Sequence, residues 1–382
     1  MARTKDFTKV CAAKFQKQKA TVTADLYGGV NDVTLGVGNL MSVKTCDILD
    51  GVEKISDEAI NGTQIINGEM VIALLPTVSV EADIYDTGTL PLIVAGMGWE
   101  NLDGPKTSGS LKAHLIPFNV NGQDQREFTS AEQTLIGGTW VTGDRVNLGL
   151  HIASDTGPFT KHAKNTYFDQ MEISSKQKDV LALKLTGTAE IASVDTSHAT
   201  VSTWSKAANA FVSRWSHYKS LFTFGAIGGS QVAIQALEWS LKVTRGMAKA
   251  NVPTGTGNGG LAQAEPLSTG RSEVTVDFKI YKDDTDQWRT WQLGDTLLQL
   301  KVEFVSGLKK LGFYFPQLQI NAIDTQADAG SSVMISCKAF LPTGVDPFAT
   351  ERTFTTPWAL PFPTPFYIIS VDSDAVGYMR QT

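Results

Sequence analysis

The sequence predicts a mainly β chain, and three observations carry that reading. The first is composition: 34 glycines in 382 residues, with frequent threonine and valine, favour strands and turns over helices. The second is period-two alternation of apolar and polar residues in several segments. The third is a near repeat, in which VSVEADIYD at Val78 to Asp86 returns as VTVDFKIYK at Val274 to Lys282.

The repeat extends without a gap over Val78 to Gly98 and Val274 to Gly294, an offset of 196 residues with six identities. Val78, Val80, Ala82 and Ile84 share one strand face, as do Val274, Val276, Phe278 and Ile280. Each copy then reaches an Asp/Thr/Gly cluster and a segment of helix length. Gly98 and Gly294 are placed to end those helices as C-caps, and Asp284 or Thr285 to start the second. Trp288 and Trp291 fall on one helix face. A chain of this length is expected to hold about two domains, and a duplication accounts for both the length and the offset.

The elements around the second copy read as antiparallel strands. Ile234 to Arg245 alternates through Leu237, Trp239, Leu241 and Val243 and is expected to pair with Val274 to Tyr281. Leu297 to Phe304 and Ser331 to Phe340 alternate too, and Pro316 places a bulge or an edge in the segment between them. Asn165 to Ser174 and Val180 to Ala192 form a hairpin around KQKD. Ser193 to Ser220 has helical spacing through Trp204, Ala207, Ala208, Phe211 and Trp215, so 193–233 is expected to be a helical connector. The resulting division is an N-terminal arm (1–30), a first β domain (31–192), the connector, a second β domain (234–345) and a C-terminal arm (346–382). The Pro-rich and aromatic run Pro357 to Ser370 is expected to lie as an extended arm on an apolar surface rather than as a central strand. Gly246 to Gly270 lacks periodicity and is longer than ordinary loops in compact domains.

Composition excludes several function classes. A formal net charge of −6 gives no cationic surface for gripping nucleic acid. Cys11, Cys46 and Cys337 fit neither a disulfide framework nor a four-ligand zinc site, which suits a reducing cytosol. No apolar run reaches the roughly 18 to 20 residues of a membrane span, and the basic N-terminus lacks the core of a signal peptide. Gly255, Gly257 and Gly260 spell a G-x-G-x-x-G, but Pro266 follows and no helix opens there, so the stretch reads as a loop and not as a cofactor cradle. The five histidines have no ligand spacing, and Asp283, Asp284 and Asp286 read as a helix-capping turn. No catalytic constellation, cofactor site or metal site is expected.

The series LEWSLKVTRGM, a glycine-containing loop, STGRSEVTVDFKIYKDDTDQWRTW, LLQLKVEF, LGFYFPQLQINAI and SSVMISCKAFLP, over about Ile234 to Pro342, resembles the tail tube (major tail) proteins of long-tailed bacteriophages. INGEMVIALLPTVSVEADIYDTGTLPLIVAGMG in the first half is similar. The resemblance implies a duplicated β-sandwich or half-barrel with short flanking helices, assembled in the bacterial cytoplasm into virion tails. Its partners would be further copies of itself, in rings of three chains with pseudo-sixfold symmetry stacked into a tube. It also implies a tape measure protein and terminator or distal tail proteins at the tube ends, with DNA passing non-specifically through the lumen and no enzymatic role. Glu81, Asp83, Glu172, Asp277 and Glu303 are candidates for the lumen wall. Lys184, Lys242, Lys279 and Lys301 occupy comparable faces, and a wall that releases DNA needs few unpaired cations. The loop marked by Gly246, Pro253, Gly255, Gly257, Gly260 and Gly270 is the candidate contact between rings. Other readings of the same features are a tail adaptor or terminator, a capsid-decoration protein, and a carbohydrate-binding β-sandwich using its tryptophans.

Overall fold

The structure is a computed structural model that describes residues 10–19, 40–56, 69–74, 76–86, 88–101, 104–120, 146–155, 160–195, 214–253, 262–268, 271–281, 287–326, 332–354 and 357–374. Its strands in chain order are β1 (Val10–Lys19), β2 (Leu40–Met41), β3 (Thr45–Leu49), β4 (Val52–Ser56), β5 (Glu69–Leu74) and β6 (Thr77–Asp83). After helix α1 (Leu90–Met97) come β7 (Lys106–Ser108), β8 (Leu111–Pro117), β9 (Val146–Asp155), β10 (Thr160–Lys176) and β11 (Ala182–Asp195). There follow β12 (Ser220–Ala226), β13 (Val232–Ile234), β14 (Ala236–Thr244), β15 (Met247–Pro253), β16 (Ala262–Ser268) and β17 (Glu273–Tyr281). Helix α2 (Gln287–Leu293) precedes β18 (Leu298–Ser306), β19 (Lys309–Gln326), β20 (Ser332–Ala339) and β21 (Tyr367–Asp372). The protein is mainly β, with a large antiparallel sheet.

Seventeen of these strands form one continuous sheet, and its ladders follow the same path twice. The first path runs β2, β1, β9, β10, β11, β6, β3. The second runs β13, β12, β18, β19, β20, β17, β14. Registers agree as well as order. Thr160 pairs with Asp155, and the residues 150 positions on, Lys310 and Val305, pair with each other. Val80 lies between Cys46 and Leu185, while Val276 lies between Leu241 and Cys337. Both long strands carry a bulge facing the next strand, between Phe168 and Gln170 in β10 and between Ile320 and Ala322 in β19. The two paths are joined through β10 and β14, which pair from Gln170↔Thr244 to Lys176↔Glu238.

The expected alternation is realised. Val78, Val80, Ala82 and Ile84 are buried, as are Val274, Val276, Phe278 and Ile280. One cluster takes residues from both paths, with Val80, Met171 and Leu185 in the same core as Trp239, Val276 and Phe313, so the two expected domains share a single interior. At its centre Trp239 lies 5.0 Å from Phe313 and 6.0 Å from Phe304, measured between ring centres. Helix α1 starts with Pro91 in its first turn and ends at Gly98, whose φ of 76° is the left-handed cap. The equivalent cap of α2 falls one residue later than expected, on Asp295 with φ 48°. The bulge expected at Pro316 is present, since Leu300 pairs with Phe315 and Leu298 with Leu318.

Four expectations change. The N-terminal arm contains β1, which pairs with β9 along its whole length and buries Cys11. The described ends of the connector at 193–233 hold no α-helix: β11 runs on to Asp195, a single 3-10 turn spans His217–Lys219, and β12 and β13 form a hairpin. The helical positions Trp204 to Phe211 lie outside the described residues. The aperiodic stretch from Gly246 holds the hairpin β15–β16, whose small residues give no apolar alternation to read. This hairpin corresponds to β4–β5 on the other path, and the two meet in a four-stranded sheet through the parallel pairs Ala262↔Ala73 and Gln263↔Leu74.

The C-terminal arm is the largest correction. Its prolines stop at Pro365, and β21 beyond them is buried throughout, inserted antiparallel between β8 and β19. Pro357 to Phe366 crosses over the outer side of these strands, where Tyr314, Phe348, Trp358, Tyr367 and Ile369 form a second, smaller core. Only the first path carries the β7–β8 excursion that β21 joins: α1 and β9 are separated by residues 98–145, whereas α2 and β18 are separated by 294–297.

Candidate functional site

The polar face of the sheet brings most of the predicted wall residues together. Because side chains alternate along each strand, the residues opposite the core line up in rows across neighbouring strands. One row reads Thr45, Glu81, Lys184, Glu172, Lys242 and Thr275, each directly opposite the next. A second reads Asp83, Ala182, Ser174, Ser240, Asp277 and Ser336. Two shallow adjoining grooves lie on this face and share Glu172, Ser174 and Ala182.

Acid and base alternate along the first row. Lys184 Nζ lies 3.0 Å from Glu81, and Lys242 Nζ lies 3.5 Å from Asp277. Ser336 donates to Asp277 at 2.6 Å. Lys338 meets Glu273 at 2.7 Å along the same face. Exposed pairs of this kind contribute about 0.2–1 kcal/mol each, so their main effect is on surface potential: the lysines stand against carboxylates. Asp83 is more buried than expected for a wall residue, held by Lys44 at 2.5 Å and Arg214 at 3.4 Å.

Glu303 does not belong to this face. It is 7% exposed and accepts hydrogen bonds from Tyr314 Oη at 2.7 Å and Lys310 Nζ at 3.0 Å. Burial alone would raise its pKa, but Lys310, the Tyr314 hydroxyl and Lys301 outweigh that and hold the carboxyl below its ordinary value. Lys301 sits with it, 2.8 Å from Glu351. Lys310 reaches Glu351 as well, at 3.6 Å, so a residue of the segment read as the C-terminal arm (346–382) stands beside the Glu303 cluster. The hydroxyl residues Thr45, Ser174, Ser240 and Ser336 were not singled out in the sequence, because their order in rows depends on strand pairing that no local pattern reports.

Of the candidate loop residues, Gly246 joins β14 to β15 and Pro253 ends β15 opposite Ala262. Gly255, Gly257, Gly260 and Gly270 lie outside the described residues, as do Asp283, Asp284 and Asp286. Trp99, Trp215, Trp239 and Trp358 are buried, and Trp288 and Trp291 pack on Phe224. The first four are core residues, and Trp288 and Trp291 are partly buried and pack against that core.

A separate buried polar cluster ties the excursion to the C-terminus. His114 on β8 lies 3.1 Å from Glu100 through Nδ1 and 3.2 Å from Asp372 through Nε2. Burial works against its charge, but the hydrogen bonds and charges of Asp372 and Glu100 prevail and raise its pKa to about 9. His217 is held differently, between Ser175 Oγ at 2.9 Å and the Ala236 carbonyl at 2.8 Å. Among the described residues no group of three or more His, Cys, Asp or Glu side chains is arranged to hold a metal ion, and no helix is long and apolar enough to cross a membrane.

No protein-family model matches the chain, and no curated protein matches its sequence.

Proposed function

We propose that the protein is a structural subunit of a bacteriophage tail tube, holding two copies of one tube-type β unit and polymerising as stacked rings around a DNA channel. The observation that carries this reading is the doubled ladder path, with the same strand order, matched registers and a bulge in each long strand, joined edge to edge through β10 and β14. Two units with one strand order, laid side by side in a single sheet, are what a pseudo-sixfold ring of three chains requires, and linkage in one chain raises their effective concentration for each other. The polar face supports the second half of the reading. A wall where Lys184 and Lys242 stand against Glu81 and Asp277 offers DNA few free cations, and phosphate contacts with cations are what make nucleic-acid binding strong. Tape measure and tube-end proteins would be its further partners in the virion.

The test is electron microscopy of the purified protein over a concentration series, with the mass of the smallest assembly. Hollow tubes built from rings of three chains are the expected result. Rings that never stack would favour an adaptor or terminator, and six chains per ring would remove the role given to the doubled unit.

A further inference from the structure

The internal joint between the two units specifies how one chain should meet the next. One flank of β10 is shared by two strands: β9 takes residues 160–166 and β14 takes residues 170–176. The corresponding flank of β19 is filled only in its first half, by β18 up to Leu318. Residues 322–326 continue as strand, paired on their other side with β20, and among the described residues no ladder occupies this second half. Ala322 and Asp324 are exposed. Ile323 points to the core yet is only partly buried, whereas its counterpart Ile173 is fully buried opposite Leu241 of β14. An inward aliphatic residue at an open edge is what a strand missing its neighbour looks like.

The equivalent of β14 on the first path is β3, at the far end of the sheet, where Thr45 opposite Glu81 matches Ser240 opposite Asp277. We infer that residues 322–326 of one copy pair antiparallel with β3 of a second copy, in the register that β10 and β14 use within the chain. Transferring Ser174↔Ser240 and Ile173↔Leu241 gives Asp324 opposite Thr45 and Ile323 opposite Cys46. The outward pair is then carboxylate against hydroxyl, and the inward pair is apolar, so neither position opposes like charges. The contact is head to tail, so each chain offers one donor edge and one acceptor edge, and the series ends only when the rotation closes a ring. The inference rests on the reading of the chain as two equivalent units, and adds to it which strands meet and in what register.

Cross-linking tests it. A Thr45→Cys chain is mixed with an Asp324→Cys chain under conditions where rings are seen by microscopy, then treated with a short bismaleimide; Thr45→Cys with Ala322→Cys is the shifted control, and the unsubstituted chain reports on Cys11, Cys46 and Cys337. The expected result is a covalent two-chain product at least tenfold more abundant for Thr45 with Asp324 than for the shifted pair, and a covalent ring when one chain carries both substitutions. Rings that form with neither pair linking, or with the shifted pair linking better, would overturn this joint and leave the tube reading intact. Chains that stay monomeric at every concentration would overturn both.

Discussion

Helices α1 and α2 hold the same place on the two ladder paths, after β6 and β17, but their surroundings differ completely. Every residue of α1 except Pro91 is buried, while α2 has no buried residue and Leu293 at its end is 76% exposed. The sequences already differ in kind: LPLIVAGM is apolar all round, which requires cover on every side, and QWRTWQL has a single aromatic stripe. In α1 the cover includes the other path, since Arg245 just beyond β14 donates to the Gly96 carbonyl at 2.6 Å, while Met171 and Leu185 of its own path pack against Gly96. In α2 the stripe supplies the packing, with Trp288 and Trp291 lying 5.1 and 5.8 Å from Phe224, between ring centres, and Gln292 donates to the Asn321 carbonyl of β19 at 3.3 Å. The comparison teaches that a unit flanked within its own chain can commit its helix to the interior, whereas the unit at the end of the chain keeps an amphipathic one.

The sharpest way to break this comparison is to truncate one leucine in each helix. Leu92→Ala removes a fully buried side chain and should cost about 3–5 kcal/mol, while Leu293→Ala should stay within about 0.5 kcal/mol. Urea unfolding of both variants is the measurement, and equal losses would mean that α2 is as enclosed as α1.

A second contrast lies in the excursion, which only the first path has. The pKa of His114 is raised in the folded state from 6.5 to about 9, so its contribution is fully present below about pH 6.5 and is lost as pH rises through about 9. The size is on the order of 3 kcal/mol. Unfolding curves between pH 6 and 9.5 should show stability falling with pH in the wild type, and His114→Gln should remove most of that slope. A slope unchanged by the substitution would assign it elsewhere.

The smallest effect compares the two helix ends. Gly98 has φ 76° and its Cβ position is occupied by the Arg245 guanidinium, whereas Gly294 has no such φ and meets the Thr290 carbonyl only at 3.2 Å. Gly98→Ala should therefore cost about 1–2 kcal/mol and Gly294→Ala less than about 1 kcal/mol. Thermal unfolding distinguishes them, and the reverse order would show that Arg245 yields freely.

Much of the second path was legible. The pairing of Ile234 to Arg245 with Val274 to Tyr281, the alternation of Ser331 to Phe340 and the bulge at Pro316 are local patterns, and the structure keeps them. Four of the five predicted wall residues share one sheet face for the same reason, since period two fixes which side a residue takes. Glu303 differs because its neighbours, Tyr314 and Lys310 of β19 and, through Lys301, Glu351, are set by strand pairing and by a segment about 50 residues on, which no local pattern reports. The correspondence between the two ladder paths shows in the sequence only at Val78 to Gly98, because the excursion before β9 changes the offset from 196 to 150 and hides the later correspondence from a gapless comparison.

What the sequence determined by itself was the identity and facing of the alternating strands and the end of α1 at Gly98, all consequences of local sterics and of which side chains avoid water. Tertiary structure alone decided the neighbours. Tyr367 to Ile369 in β21 is a short apolar run of the kind that fits a strand buried on both faces, yet nothing local says that it enters between β8 and β19. Strand pairing uses backbone groups that every residue carries, so partner choice is settled by the packing of remote side chains into one shared core.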